Sequence, residues 1–190
     1  GAESNAAVEI AYTVKAAEAV QPTLPTELFF SEYIEGTSNN KAFEIFNGTG
    51  AAIDLSVYTV KLFGNGSATS TASQALTGTL ANNDVYVISN ASANATILGI
   101  KDITSSVANY NGDDALGLYK TVNSVEVLID VIGVIGTDPG TNWVVGTGAT
   151  SEYTLVRKSS VIAGVTTWDT TQWDVYPQDT TTYLGSHTLA

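Results

Sequence analysis

The chain has no cysteine, a single histidine, and only seven lysines and arginines among 190 residues. Without cysteine there is no disulfide framework, no thiolate metal site and no cysteine nucleophile. One histidine and no cysteine together exclude the usual zinc sites. Seven basic against nineteen acidic side chains leave a formal charge of −12. Such a surface repels phosphate backbones, whose binding requires Lys and Arg to neutralise them, so a general nucleic-acid-binding role is excluded. No apolar run approaches the ~18 residues of a membrane-crossing helix. The start, GAESNAAVEI, has neither the basic stretch nor the apolar centre of a signal peptide. Beginning at Gly1 rather than Met, the chain reads as an internal or mature piece of a longer precursor.

What the chain does have is a period of two. In KAFEIFNGTGAAIDLSVYTVKLF, Phe43 and Ile45 alternate up to a turn at Asn47-Gly48. Ile53 and Leu55 open a second run that Tyr58, Val60 and Leu62 continue. Side chains at that spacing share one face of a strand, so both runs seek the same core.

The rest of the chain repeats the theme. Val8 to Val14 alternates as one strand, and Pro22 and Pro25 then stiffen a linker. Residues 1–27 are therefore expected to be a linker carrying the last strand of a preceding domain; the other reading of residues 8–15 is a first strand of the main sandwich. Residues 28–190 are expected to form the domain proper. Leu28 to Ile34 begins it, and Gly64 to Ser67 ends the second run with turn chemistry. SATSTASQALTGTL reads as an edge strand or excursion, and Asp84 to Ser89 as a strong strand. ATILGIKDI fits a short helix or a strand. Ala115 to Tyr119 and the apolar VEVLIDVIGV, joined at Asn123-Ser124, are expected to form a hairpin at the heart of one sheet. Asp138-Pro139-Gly140 breaks the pattern before a Gly-rich loop, a further strand at Glu152 to Lys158, and a tail rich in Trp, Tyr and Thr. Short strands at regular spacing with few helical windows specify an all-β fold, an antiparallel β-sandwich of about 8–9 strands.

Three blocks, LFFSEYIEG with FEIFN, GDDALGLYK with VEVLIDVIG, and YTLVRK before a Trp-containing tail, resemble the lamin tail domain, an immunoglobulin-like sandwich. The likeness runs from about Leu28 to Thr188, and the closing YLGSHT is similar to bacterial secreted versions. The resemblance implies an accessory module of exported or surface proteins, with no catalytic residues to carry over. It also implies structural roles for Glu44, Asn47, Asp130 and Arg157, which match the family's recurrent polar positions. The coiled-coil rod and basic segments of nuclear lamins are missing, so filament and chromatin roles do not transfer.

Few side chains offer chemistry. A triad would have to use His187, three residues from the end of the chain, where rigid geometry is hard to hold. Glu32 with Glu35, and Asp113 with Asp114, raise the question of paired acids, which sequence spacing cannot answer. The run NYNGDD supplies hard oxygen ligands, making Asn109, Asn111, Asp113 and Asp114 the candidate calcium ligands, although the same residues make a plain tight turn. Among the aromatics, Trp143 is the candidate ligand platform for a glycan, while Trp168, Trp173 and Tyr176 suit the core edge. Asn47, Asn65, Asn90 and Asn94 fit the N-glycosylation pattern, a match that costs little in so Asn-, Ser- and Thr-rich a chain.

The expectation is thus a non-catalytic structural and interaction module of a larger exported or cell-surface bacterial protein, placed extracellularly, at the cell surface or in the periplasm. It would give spacing, partner docking or recognition of an extracellular ligand such as a glycan. Its partners would be neighbouring domains of the same polypeptide, or an extracellular protein or glycan, with no cofactor other than calcium in prospect. The alternative is an accessory domain of an extracellular hydrolase such as a nuclease or phosphatase.

Overall fold

The computed structural model describes residue 1 and residues 24–190. The strand expected at residues 8–15 and most of the expected linker lie outside the described residues. In chain order the strands are β1 (Phe29–Glu35), β2 (Lys41–Asn47), the two-residue β3 (Ile53–Asp54), β4 (Tyr58–Phe63), β5 (Ala72–Ala75), β6 (Thr79–Leu80) and β7 (Asp84–Ser89). A short helix, α1 (Ala95–Ile100), leads to β8 (Ile103–Thr104), β9 (Ala115–Val122) and β10 (Val125–Ile132). The small β11 (Val144–Val145) and β12 (Gly148–Ala149) precede β13 (Tyr153–Arg157) and β14 (Trp173–Pro177). Nine of these strands are four residues or longer.

Two sheets form an all-β, immunoglobulin-like antiparallel sandwich. One is six-stranded in the order β14-β13-β1-β2-β7-β8, and the other four-stranded in the order β10-β9-β4-β5. Between them lies a core that includes Phe30, Tyr33, Phe43, Tyr58, Leu116 and Ile132. Tyr110 clasps β1 and β2 from the core side. Its ring stacks on Tyr33 at 4.6 Å, and its hydroxyl lies 2.7 Å from the carbonyls of both Ile34 and Ala42.

The six-stranded sheet is buried on its outer face as well. Phe29, Ile34, Phe46, Val87 and Ile97 make a second cluster, closed by α1 and by Leu184 of the C-terminal tail. This double burial explains why FFSEYIE and KAFEIFN are apolar on both alternations, as strands covered on both faces are. A bulge between Phe30 and Glu32 inserts Ser31 and leaves Glu32 opposite Glu44 on the outer face.

Local chemistry places the connections. Asp54 caps a one-turn 3-10 segment, accepting from Ser56 N at 2.9 Å, so the run from Ile53 is broken before β4 begins. Both readings of ATILGIKDI are realised: Asn94 caps α1, and Ile103–Thr104 then pairs parallel to β7. Asn123 and Ser124 both have positive φ, as a two-residue hairpin turn demands. The loop after Trp143 closes as the ribbon β11–β12.

One expectation is overturned. The β9–β10 hairpin forms, but β10 is an edge strand rather than a central one. Only its second half is buried, and Val125 and Val127 at its start are exposed. The apolar side chains of VEVLIDVIGV mark a core-facing strand whose first residues overrun the sheet that should cover them.

Candidate functional site

The most heavily bonded polar groups lie inside the sandwich. Asp130, on β10, forms a buried ion pair with Arg157, on β13, and so joins the two sheets. The carboxylate also accepts from the backbone N–H groups of Phe30 at 2.8 Å, Val131 at 3.0 Å and Val165 at 2.8 Å. Arg157 Nε donates to Phe30 O at 2.9 Å, Nη1 donates to Gln172 Oε1 at 2.6 Å, and the guanidinium lies 4.3 Å over the Trp173 ring. Both Asp130 oxygens and all three Arg157 nitrogens thus have a hydrogen-bond partner, which is the condition for tolerating a buried pair.

Asn47, fully buried at the end of β2, does the same for a turn. Its amide nitrogen donates to the carbonyls of Ala51, Leu80 and Ala81 at 2.8–3.0 Å, and its oxygen accepts from Thr49 N and Oγ1. With its amide so engaged and buried, Asn47 offers no accessible glycosylation acceptor.

Glu44 and Glu32 form a different pair, side by side on the outer face of β2 and β1 beneath the tail. Glu44 accepts from Ser31 Oγ at 2.6 Å and Gly185 N at 2.7 Å, yet burial pushes its carboxyl up to about 7. Glu32 is buried with no partner for either oxygen; burial first and the neighbouring Glu44 second push it up to about 9. With both carboxyls raised, the adjacent acids repel each other less than an ionised pair would, and Glu44 bonds the tail through Gly185 N. Sequence reasoning took Glu32 together with Glu35 and missed its pairing with Glu44. The available signal was the position of both acids inside strands apolar on both alternations.

Glu35 instead meets Lys41, 3.0 Å away, where the calcium candidates gather. The Lys41 ammonium also donates to Tyr110 O at 2.6 Å and Asn111 Oδ1 at 3.0 Å. Asn109 Oδ1 accepts from Asn90 Nδ2 at 2.8 Å, and the Asp114 carboxylate accepts from Asn65 N and Asn111 N, each at 2.7 Å. The structure thus brings Asn111, Asp113 and Asp114 into one turn, with Asn109 just before it on a different bond. Asp113 alone keeps a buried oxygen without a donor, beside a surface cleft of about 470 Å³ lined also by Glu35, Asn142 and Glu152. Burial raises its carboxyl above the usual range. Among the described residues no group of three or more His, Cys, Asp or Glu side chains could hold a metal ion.

The aromatic candidates separate. Trp143 is half-buried, and its ring covers the turn at Gly133: a Cβ there would stand 2.7 Å from Trp143 Cζ3. Its backbone is fixed by mutual hydrogen bonds with Thr150 at 3.0 and 3.1 Å. Trp173 is buried in the core with Trp168 packed 5.8 Å away. A cavity of about 250 Å³ opens between Trp168, Thr166, Leu128 and Val134, and Trp143 is not among its lining residues. Tyr176 lies against Tyr183 of the tail at 4.4 Å. His187 packs edge-on against Phe46 at 4.9 Å and Phe29 at 6.0 Å, and burial depresses its imidazole to about 4. It therefore helps to cover the outer cluster, and among the described residues no Ser or Asp is hydrogen-bonded to it.

Such a molecule, with two sheets closed on one another and a buried ion pair joining them, belongs to the class of immunoglobulin-like sandwich modules. A family model, the Lamin Tail Domain, matches residues 21–136, more than half of the chain, and the chain belongs to that family. The matched region ends just beyond β10, so β13, β14 and the tail complete the sandwich outside it. No curated protein and no solved structure matches the chain.

Proposed function

We propose that this chain is a structural and interaction module of a larger exported or cell-surface protein, held by one end and docking there onto neighbouring domains. The observation that carries this reading is the meeting of two distant segments at a single turn. Pro25 and Leu189 both pack on Gly48, the turn after β2: a Cβ at Gly48 would stand 2.9 Å from Pro25 Cγ and 3.2 Å from Leu189 Cδ1. Leu24 lies against Gly50 in the same turn. Residues 24–25 and Leu189 thus meet at one end of the sandwich, which supports docking onto neighbouring domains there. The low charged fraction, 14%, and the Thr- and Asn-rich exterior suit a hydrated extracellular scaffold.

Cross-linking on the full-length polypeptide tests this. Lys120 and Lys158 lie at the end marked by Glu27 and by Ser159, whose carbonyl accepts from Ala190 N. Their cross-links to residues beyond 24–190 are expected to dominate. Neighbours attached through the opposite end of the sandwich would overturn the reading. Sustained turnover of nuclease or phosphatase substrates by the purified chain would overturn its non-catalytic part. A glycan array with Trp143→Ala as control decides whether the ligand of this surface is a sugar held at Trp143; binding unaffected by that change removes the platform.

A further inference from the structure

Three valines at the end of the β9–β10 hairpin point in the core-facing direction, yet no described residue covers them. Register fixes the direction. Leu116 and Leu118 enter the core, and Lys120 and Val122 continue the same face of β9 at a period of two. Val125 pairs with Val122, and Val127 pairs with Lys120, so all three valines share that face. Their exposures are 45% for Val122, 62% for Val125 and 45% for Val127, whereas Leu116, Leu118 and Ile132 on the same face are buried. The opposite face of the hairpin is ordinary surface, where Glu126 pairs with Lys61.

The polypeptide reaches the sandwich beside this patch. Glu27 Oε2 accepts from Lys120 Nζ at 2.6 Å, and Glu27 Oε1 accepts from the Tyr58 hydroxyl. Lys120 is itself the cross-strand partner of Val127. Glu27 therefore stands beside the strand pair that carries the valines. The ten steps from Val14 to Leu24 give a reach of up to roughly 33 Å. A second copy of the chain is disfavoured as the occupant, because each copy carries −12.

We propose that this valine face is the seat of residues 8–14 of the same chain, which lie outside the described residues. Val8, Ile10, Tyr12 and Val14 recur at the spacing that Val125 and Val127 present. Laid over the hairpin, that apolar alternation would remove two unpartnered apolar surfaces from water at once. This goes beyond the module reading and is independent of where the protein is exported.

The chain has no cysteine, so Thr121→Cys on the far, exposed face of the hairpin gives a unique site for a nitroxide label. In the full chain, the amide NMR signals of residues 8–14 are expected to lose most of their intensity beside that label. Adding Val125→Asp and Val127→Asp is expected to restore them while the sandwich signals keep their dispersion. The proposal is overturned if residues 8–14 are unaffected by the label, or if their broadening survives the double substitution. It is equally overturned if the same broadening arises in isotope-labelled chain mixed with separate spin-labelled chain, since the occupant is then a second copy.

Discussion

Among single residues, Asp130 and Arg157 have the largest consequences. Both are sealed from water, and each satisfies backbone groups as well as the other. Asp130→Asn would leave the guanidinium buried without its counter-charge, a loss of about 3–5 kcal/mol. Urea unfolding measures it, and a loss below ~1 kcal/mol would refute the assignment. Exchanging both residues together for apolar ones of similar volume is expected to cost less than Asp130→Asn alone. The turn Asn109–Asp114 is a second residue-scale case. Lys41 already presents a positive charge to Tyr110 O and Asn111 Oδ1, and Asp114 is committed to two backbone N–H groups. Calcium titration should accordingly leave the amide shifts of residues 109–114 unmoved up to millimolar ion. Saturable shifts centred on Asp113, the one carboxylate there with an unpartnered buried oxygen, would show instead that the cation outcompetes the lysine.

For strands and loops, periodicity told more than composition. Phe43, Ile45, Tyr58, Val60 and Leu62 were legible as core because their spacing fixes a face whatever the partner strand. The structural parts of Glu44, Asn47, Asp130 and Arg157 were legible only through resemblance, since each bonds residues that are remote in the chain. Asp130 to Val165 and Glu44 to Gly185 are contacts no local pattern encodes. The place of β10 failed for the same reason. An apolar strand at an edge looks like a central one until the loop that guards it is located. That loop is the stretch around Gly164, which lies so close to β10 that a Cβ would stand 2.6 Å from both Ile129 O and Asp130 Cβ. Gly164→Ala must therefore push the loop off the edge, at a cost of about 1–3 kcal/mol. An alanine variant as stable as the parent in thermal unfolding would mean that the loop does not seal β10.

At the scale of the whole molecule, the outer face of the six-stranded sheet makes stability a function of pH. The tail crosses that face over Glu32 on β1 and Glu44 on β2, with Tyr176 on β14, Arg157 on β13, and Tyr183 and His187 of the tail itself close by. Glu32 and Glu44 are raised on folding, from 4.5 to about 9 and about 7. Their contributions are fully present below 4.5 and are lost as pH rises through those folded values. His187 is lowered, from 6.5 to about 4, so its contribution is present above 6.5 and lost as pH falls toward 4. Between these limits the two carboxyls outweigh the one imidazole, and folding takes up about one proton net. The melting temperature should therefore be higher near pH 5 than near pH 8.5. Glu32→Gln keeps the shape and removes the ionisation, so it is expected to flatten the alkaline fall without altering the acid side. If the Gln variant retained the full alkaline loss, the cause would be general repulsion among the nineteen acidic side chains. The tail would then be held by its apolar contacts, Leu184 on the outer cluster and His187 on Phe29 and Phe46, rather than by a neutral acid pair.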